Sequence, residues 1–268
     1  MERATEIREL LGLTPEDVVA RAGAGLVVCE NLDAMHRQFA EEIAAEIRGR
    51  NARGLQTRLI LPVGPTGQYP FFADIANAEG LCLRDCSFFF MDEYCDAAGQ
   101  VVTPAHPLSF RAIAEEKLLA RLDPALGLSE ESCVFPDQDN IGDLGQRIRD
   151  GGGIDTCYGG IGIHGHVAFN EPEPGVAEMG PRKVELNDFT VTINAVRAGV
   201  GGNLECFPRQ AYTLGMAEIL GADRLRLFCR NGCEFDWANT VLRLALFGTP
   251  GDDYPVTHIR GRDVVVFT

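Results

Sequence analysis

The chain has 268 residues, enough for one large α/β domain and too few for two comfortable ones. Hydrophobic residues make up 46% and charged residues 24%, the balance of a globular protein, and a formal net charge of −15 argues against nucleic acid or an anionic membrane as partner. No apolar run reaches the roughly 18 residues of a bilayer span, and the start MERATEIRELLGL lacks a signal peptide's apolar core, which points to a cytoplasmic protein.

Residues 1–24 read as a helical extension, a surface ornament or an oligomer contact, and residues 25–268 as one domain. Thr14-Pro15-Glu16-Asp17 is a helix start, with Thr as cap, Pro in the first turn and acids at the positive end of the dipole. Leu26–Cys29 is a short apolar run. Leu32, Met35, Phe39, Ile43 and Ile47 then recur at helical spacing behind a cap at Asn31. Arg58–Val63 reads as a strand that ends in a Gly/Pro/Thr loop. Ser87–Met91 is a second buried strand, followed by Asp92 and Glu93. Pro107–Leu122 reads as helix, and Ile154–Ile161 as a third strand. Leu225–Cys229 is another, followed by a helix with Ala238, Val241, Leu242, Ala245 and Leu246 on one face. Val264–Phe267 closes the series. Apolar strands alternating with amphipathic helices predict a mostly parallel, doubly wound, Rossmann-like sheet with helices on both faces.

Ligands of such sheets bind beyond the C-terminal ends of the strands, where three motifs fall. Gly64-Pro65-Thr66-Gly67 is a glycine-rich turn that can offer N–H groups to an anion, or be only a turn. Asp92 and Glu93 follow a buried strand, where a partly desolvated carboxylate acts as a general base or simply turns the chain. The segment Gly159–Pro172, GGIGIHGHVAFNEP, combines glycines with His164, His166 and Glu171. A His five residues from a Glu suits a proton-transfer pair. The same ligand types, with Asp92, also suit a metal, and one structural and one surface histidine would explain them as well. The nine cysteines include no Cys-x-x-Cys pair, and read as reduced thiols.

These residues resemble the glucosamine-6-phosphate deaminase/isomerase family. The strings MDEY at Met91–Tyr94, GGIG..GH.AFNEP and LP.G.T carry the resemblance, with His106-Pro-x-Ser109, Leu186…Thr190…Asn194 and Phe207-Pro208…Ala211-x-Thr213-x-Gly215 in the same order. It runs from about Leu26 to Phe267. The related 6-phosphogluconolactonases share the glycine-His part but not Asn-Glu-Pro. The resemblance implies ring opening of a sugar, proton movement between C2 and C1 through an enediol-like intermediate, and release of ammonia. By it, Asp92 shuttles the proton, His166 opens the ring and Glu171 orients His166, with His164 beside them. Gly64, Pro65, Thr66, Gly67, Glu93, Gly162, Gly165, Asn170 and Arg230 are the expected substrate contacts. It implies no metal or organic cofactor, a small carbohydrate as partner, and a possible homo-oligomer.

The departures cluster. The family has Asp where this chain has His164. The family's phosphate-binding Arg after the threonine matching Thr190 is here Val191, and its loop Lys is here Gly232. Pro65 has no N–H to donate. Two lost charge-assisted contacts, each about 1.5–3 kcal/mol, weaken phosphate binding by roughly two to four decades unless Arg230, Arg197 or Arg260 compensates. The expectation is therefore a sugar or amino-sugar isomerase/deaminase whose substrate need not carry a 6-phosphate. The alternatives are a true glucosamine-6-phosphate deaminase with a rearranged phosphate site, a non-catalytic sugar-binding protein, a lactonase and a metal enzyme.

Overall fold

The computed structural model describes residues 2–200, 202–230 and 237–268. Its elements in chain order begin with helices α1 (Arg3–Leu11) and α2 (Pro15–Ala22), strand β1 (Leu26–Val27), helix α3 (Leu32–Asn51) and strand β2 (Thr57–Leu61). Helix α4 (Gln68–Glu79) leads to β3 (Cys86–Phe90) and β4 (Asp92–Cys95), then α5 (Phe110–Lys117), β5 (Cys133–Val134), α6 (Leu144–Asp150) and β6 (Thr156–Gly160). The chain continues through β7 (Arg182–Glu185), α7 (Asp188–Arg197), β8 (Gln210–Thr213), α8 (Met216–Leu220), β9 (Arg224–Phe228), α9 (Ala238–Phe247) and β10 (Val264–Phe267).

Seven strands form a parallel sheet in the order β1-β10-β9-β6-β2-β3-β5. Alternate side chains go to opposite faces. On one face Ile60, Phe89, Cys157, Leu225, Leu227 and Val266 pack with Leu10, Val18, Leu144, Ile148, Met216, Ile219 and Val241. On the other, Leu59, Leu61, Phe88, Phe90, Tyr158 and Phe267 pack with Phe39, Ile43, Ile47, Tyr69, Phe72 and Ala114. Helices therefore cover both faces, as the sequence predicts. Of the first two helices, α1 lies against α9, and Arg3 pairs with Asp253 at 2.8 Å. Helix α2 carries the expected capping box between Thr14 and Asp17.

The strand order locates the crevice. From β2 the chain moves outward through β3 to β5. From β6 it moves the other way through β9 and β10. The direction reverses between the neighbours β2 and β6, paired at Leu59–Thr156 and Ile60–Cys157. Loops leaving two such strands diverge and open a gap. They are Gly64–Gly67 and Gly162–Glu171.

Two features differ from the sequence reading. The acids after β3 belong to a strand, β4, which pairs antiparallel with β8, itself antiparallel to β7. This small second sheet carries little local signal, because its strands are only four residues long and lie far apart in sequence. The helix expected over Pro107–Leu122 is shorter: Ser109 accepts from Ala112 N at 3.2 Å and fixes the start at Phe110. Among the described residues eight cysteines are free, and burial pushes the Cys86 thiol up to about 12.

Candidate active site

The loop after β6 is shaped around one imidazole. A Cβ on Gly162 would lie 1.9 Å from His166 Nε2, so only glycine leaves room for the ring. Gly162 N donates to His166 O at 2.8 Å, and Gly165 turns the chain at φ +75°. Ala168 holds a positive φ of 53°, which costs about 1 kcal/mol for a residue with a Cβ. The loop is then stitched to the small sheet. Phe169 N donates to Thr213 Oγ1 at 3.1 Å, and Thr213 is the register partner of Asp92.

His164, His166 and Glu171 meet, in an order the sequence did not give. His164 Nε2 lies 2.7 Å from Glu171 Oε2, and His164 Nδ1 lies 3.1 Å from His166 Nδ1. His164 therefore stands between the carboxylate and the second histidine, where Glu171 was expected to orient His166 directly. The chain fixes protons. If Nε2–H of neutral His164 donates to Glu171, its Nδ1 accepts from His166 Nδ1–H. The lone pair of His166 then falls on Nε2, the atom beside Gly162. Burial pushes His166 down to about 4, with Glu171 opposing and the His164 and Arg197 charges assisting. The ring is neutral at neutral pH. Desolvation raises the Glu171 carboxyl, but His164, His166 and Thr190 outweigh it and hold the group below its ordinary value.

Asn187 completes the network, and sequence reasoning missed it. As the cap of α7 it accepts from Thr190 N at 3.0 Å, and its amide donates to Glu171 Oε2 at 2.7 Å while touching His164 Nε2. An Asn before a helix marks a cap, but nothing local says that it reaches across to another loop. On α7, Thr190, Asn194 and Arg197 follow at helical spacing on one face. Asn194 donates to Tyr94 Oη at 3.1 Å. Val191, in the place of the family's phosphate-binding arginine, is buried in an apolar cluster with Tyr94, Phe169 and Phe207.

The two acids of β4 part company. Asp92 is 5% exposed, and among the described residues no group donates a hydrogen bond to its carboxyl. Burial, with the Glu93 charge, raises it well above the usual carboxylate range. Glu93 points the other way. It accepts from Phe110 N at 3.0 Å, Arg111 N at 2.8 Å and Ser109 Oγ at 3.2 Å, at the positive end of α5. Burial raises Glu93 too, and these donors oppose the rise. Glu93, an expected substrate contact, has its oxygens engaged at the helix start. The same holds for Asn170. Its amide donates to Val167 O and Leu214 O, both at 2.9 Å, and accepts from Arg182 at 2.9 Å. These bonds brace the loop.

The loop after β2 flanks the network. Pro65 Cδ would lie 3.1 Å from a Cβ on Gly160, two residues before Gly162. In the same loop Gly67 lies under the His36 ring. Arg230 is exposed at the end of β9, directly before the undescribed residues, and Gly232 lies outside the described residues. Arg260 donates to Gly248 O at 3.4 Å, away from these loops, while Arg197 lies 5.5 Å from the Trp237 ring. A cavity of about 350 Å³ lined by Ile163, Asp188, Phe189, Thr192, Ile193 and Val196 opens beside His164. Its lining is largely apolar and holds none of the acid–base groups. His164, His166 and Glu171 offer ligand atoms within 4.8 Å of one another, so a transition metal is a chemically possible occupant. The hydrogen-bond chain accounts for the same contacts without one.

No family model matches the chain. It is 30% identical over 200 residues to a glucosamine-6-phosphate deaminase of Rhodopirellula baltica, covering 72% of this chain and 74% of that protein. A glucosamine-6-phosphate deaminase of Clostridium perfringens is 26% identical over 254 residues, covering 90% of this chain and 95% of its own. Among solved structures, a monomeric glucosamine-6-phosphate deaminase superposes with a TM-score of 0.76 at 21% identity, covering 90% of this chain and 95% of that one. No helix among the described residues is long and apolar enough to cross a membrane.

Proposed function

Because this chain belongs to the glucosamine-6-phosphate deaminase family, we propose that it is an aldose–ketose isomerase/deaminase acting on an amino sugar. The observation that carries the reading is Asp92: a buried carboxyl directly after β3, without a donor among the described residues and with a raised proton affinity. In the proposed reaction neutral His166 takes a proton from the anomeric hydroxyl at Nε2 and returns it to the ring oxygen, which opens the ring. Asp92 takes the C2 proton and delivers it to C1. One carboxylate reaches both carbons because they are adjacent. The C2 amine becomes an imine, adds water and leaves as ammonia, giving a ketose. Glu171 and His164 hold the His166 tautomer, and Asn187 holds Glu171.

Ammonia release measured across glucosamine 6-phosphate, other phosphorylated amino sugars and free amino sugars tests this. Release from at least one of them, abolished in Asp92→Asn, is expected. Silence on all of them from folded protein rejects the reading and favours a sugar-binding protein.

A further inference from the structure

Residues 1–24 lie before the stretch that carries the family resemblance, yet they are tied to the loop after β6 through one intermediate segment. That segment is a strap, residues 248–259, between α9 and β10. Its inner side meets the loop at two places. Val256 is fully buried, and its N donates to Gly165 O at 2.7 Å. Gly165 is the residue between His164 and His166. A Cβ there would lie 3.1 Å from Val256 Cγ1 and 3.2 Å from Tyr254 Cδ1, so the missing side chain is the seat on which the strap rests. Beyond Glu171, Gly175 N donates to Asp252 Oδ2 at 2.8 Å, and His258 Nε2 lies 2.9 Å from Asp252 Oδ1. The strap thus grips the histidine pair and the far end of their loop.

Its outer side is gripped by α1. Arg3 holds Asp253 with a fork, Nε to Oδ2 at 2.8 Å and Nη2 to Oδ1 at 2.9 Å, and its guanidinium lies 5.8 Å from the Tyr254 ring centroid. Glu6 Oε1 accepts from Thr249 N at 2.7 Å and from Thr249 Oγ1 at 2.8 Å, and Glu6 also pairs with Arg3. A Cβ on Gly251 would lie 2.6 Å from Arg3 Nη2, so here too an absent side chain makes the seat. A single ion pair to the half-exposed Asp253 would hold little. This arginine instead forms a fork and shares itself with a second carboxylate, which takes two donors from the strap. Helix α1 is itself anchored. Leu10 is buried in one core cluster with Val241 and Leu242, and the buried Arg243 donates to Leu13 O at 3.2 Å.

We propose that α1 is a positioning element for the active site: Arg3 and Glu6 set the strap, and the strap sets Gly165 and with it the placement of His164 and His166. The prefix then works within its own chain, where the sequence suggested an ornament or an oligomer contact. The proposal rests on the isomerase/deaminase reading for its kinetic consequence, not for the clamp itself. Arg3 and Glu6 touch no reacting atom. They act by narrowing the positions open to His166 Nε2, and a misplacement of about 1 Å at such a group costs about a hundredfold in rate. Loosening the strap therefore lowers kcat and leaves substrate affinity alone.

The test compares Arg3→Ala, Glu6→Ala and Arg48→Ala with wild type. Alanine keeps the helix in each case. Arg48→Ala breaks a similar exposed fork, to Glu79 between α3 and α4, and serves as the control. Amide hydrogen exchange followed by NMR should accelerate about tenfold or more at Val256 and Gly175 in Arg3→Ala and Glu6→Ala, and the ring nitrogen signals of His164 and His166 should shift. Both readouts should match wild type in Arg48→Ala. Arg3→Lys keeps the charge without the fork and should fall between. In the ammonia assay kcat should drop about fivefold or more in the two α1 variants, with KM within about twofold. Unchanged exchange and ring signals in both folded α1 variants would overturn the proposal. So would equal acceleration in Arg48→Ala, or an unchanged kcat where exchange is faster. If wild type releases no ammonia from any sugar while exchange and ring signals change as expected, the clamp stands and the proposed reaction falls.

Discussion

The two faces of β4 carry the same chemical group in adjacent residues and treat it in opposite ways. Asp92 is buried, and among the described residues nothing donates to its carboxyl. Glu93 faces α5 and accepts from two backbone N–H groups and a serine hydroxyl there. The pleat alone separates them, because successive side chains on a strand point to opposite faces. Burial raises both carboxyls, but only one has donors that compensate. The contrast teaches that desolvation does not by itself make a catalytic base. Desolvation without a donor leaves a carboxyl free to exchange a proton, whereas the same burial with donors makes a structural pin.

The largest expected break in this contrast comes from Asp92→Asn. It should lower turnover by about a thousandfold or more, as loss of a proton-transferring group does. The same variant should unfold at a higher temperature than wild type at pH 8. A carboxyl whose folded pKa is raised binds its proton more tightly when folded, so ionising it at high pH opposes folding, and Asn removes that opposition. Thermal denaturation and a coupled ammonia assay read both effects. A less stable Asp92→Asn protein would show that the carboxylate is held by favourable contacts after all.

Gly162→Ala places a methyl against His166 and should cost about a hundredfold in turnover while leaving the sheet folded. Circular dichroism beside kinetics would separate displacement of the ring from collapse of the loop. The pH profile sharpens the contrast further. Asp92 must be ionised to take a proton, so kcat/KM should fall about tenfold per unit as pH drops through its raised pKa. His166 titrates at about 4 and stays neutral over that range. The acid limb should therefore lie above the ordinary carboxylate value of about 4, and disappear in Asp92→Asn. The smallest catalytic effect belongs to Glu93→Gln. Its amide turns a donor toward donors, which should cost about 1–3 kcal/mol of stability. Turnover of the protein that remains folded should change by less than about tenfold. A larger catalytic loss from Glu93 than from Asp92 would reverse the assignment.

Much of this was legible in the sequence, for physical reasons. Buried parallel strands such as Phe88–Met91 are continuous apolar runs, and the loops after them carry glycine because the chain must turn tightly beside a ring or another backbone. Hence the sheet and the loop Gly159–Pro172 could be read directly. What could not be read depends on contact between distant segments. The sheet β4-β8-β7 joins Asp92–Cys95 to Gln210–Thr213 and Arg182–Glu185. The insertion of His164 between Glu171 and His166 follows from how the loop folds back, and Asn187 reaches it from the next helix. The engagement of Glu93 with the start of α5, and of Asn170 with Val167, Leu214 and Arg182, likewise depends on such contacts.

The central claim is that Asp92 moves a proton between the two carbons of an amino sugar. Incubation of wild-type protein with glucosamine 6-phosphate in deuterated water, followed by proton NMR at C2 of substrate and C1 of product, tests it most directly. The account predicts deuterium at product C1 together with ammonia release, and neither in Asp92→Asn. Saturating binding of the sugar with no isotope at either carbon, or full incorporation in the Asp92→Asn protein, would contradict it.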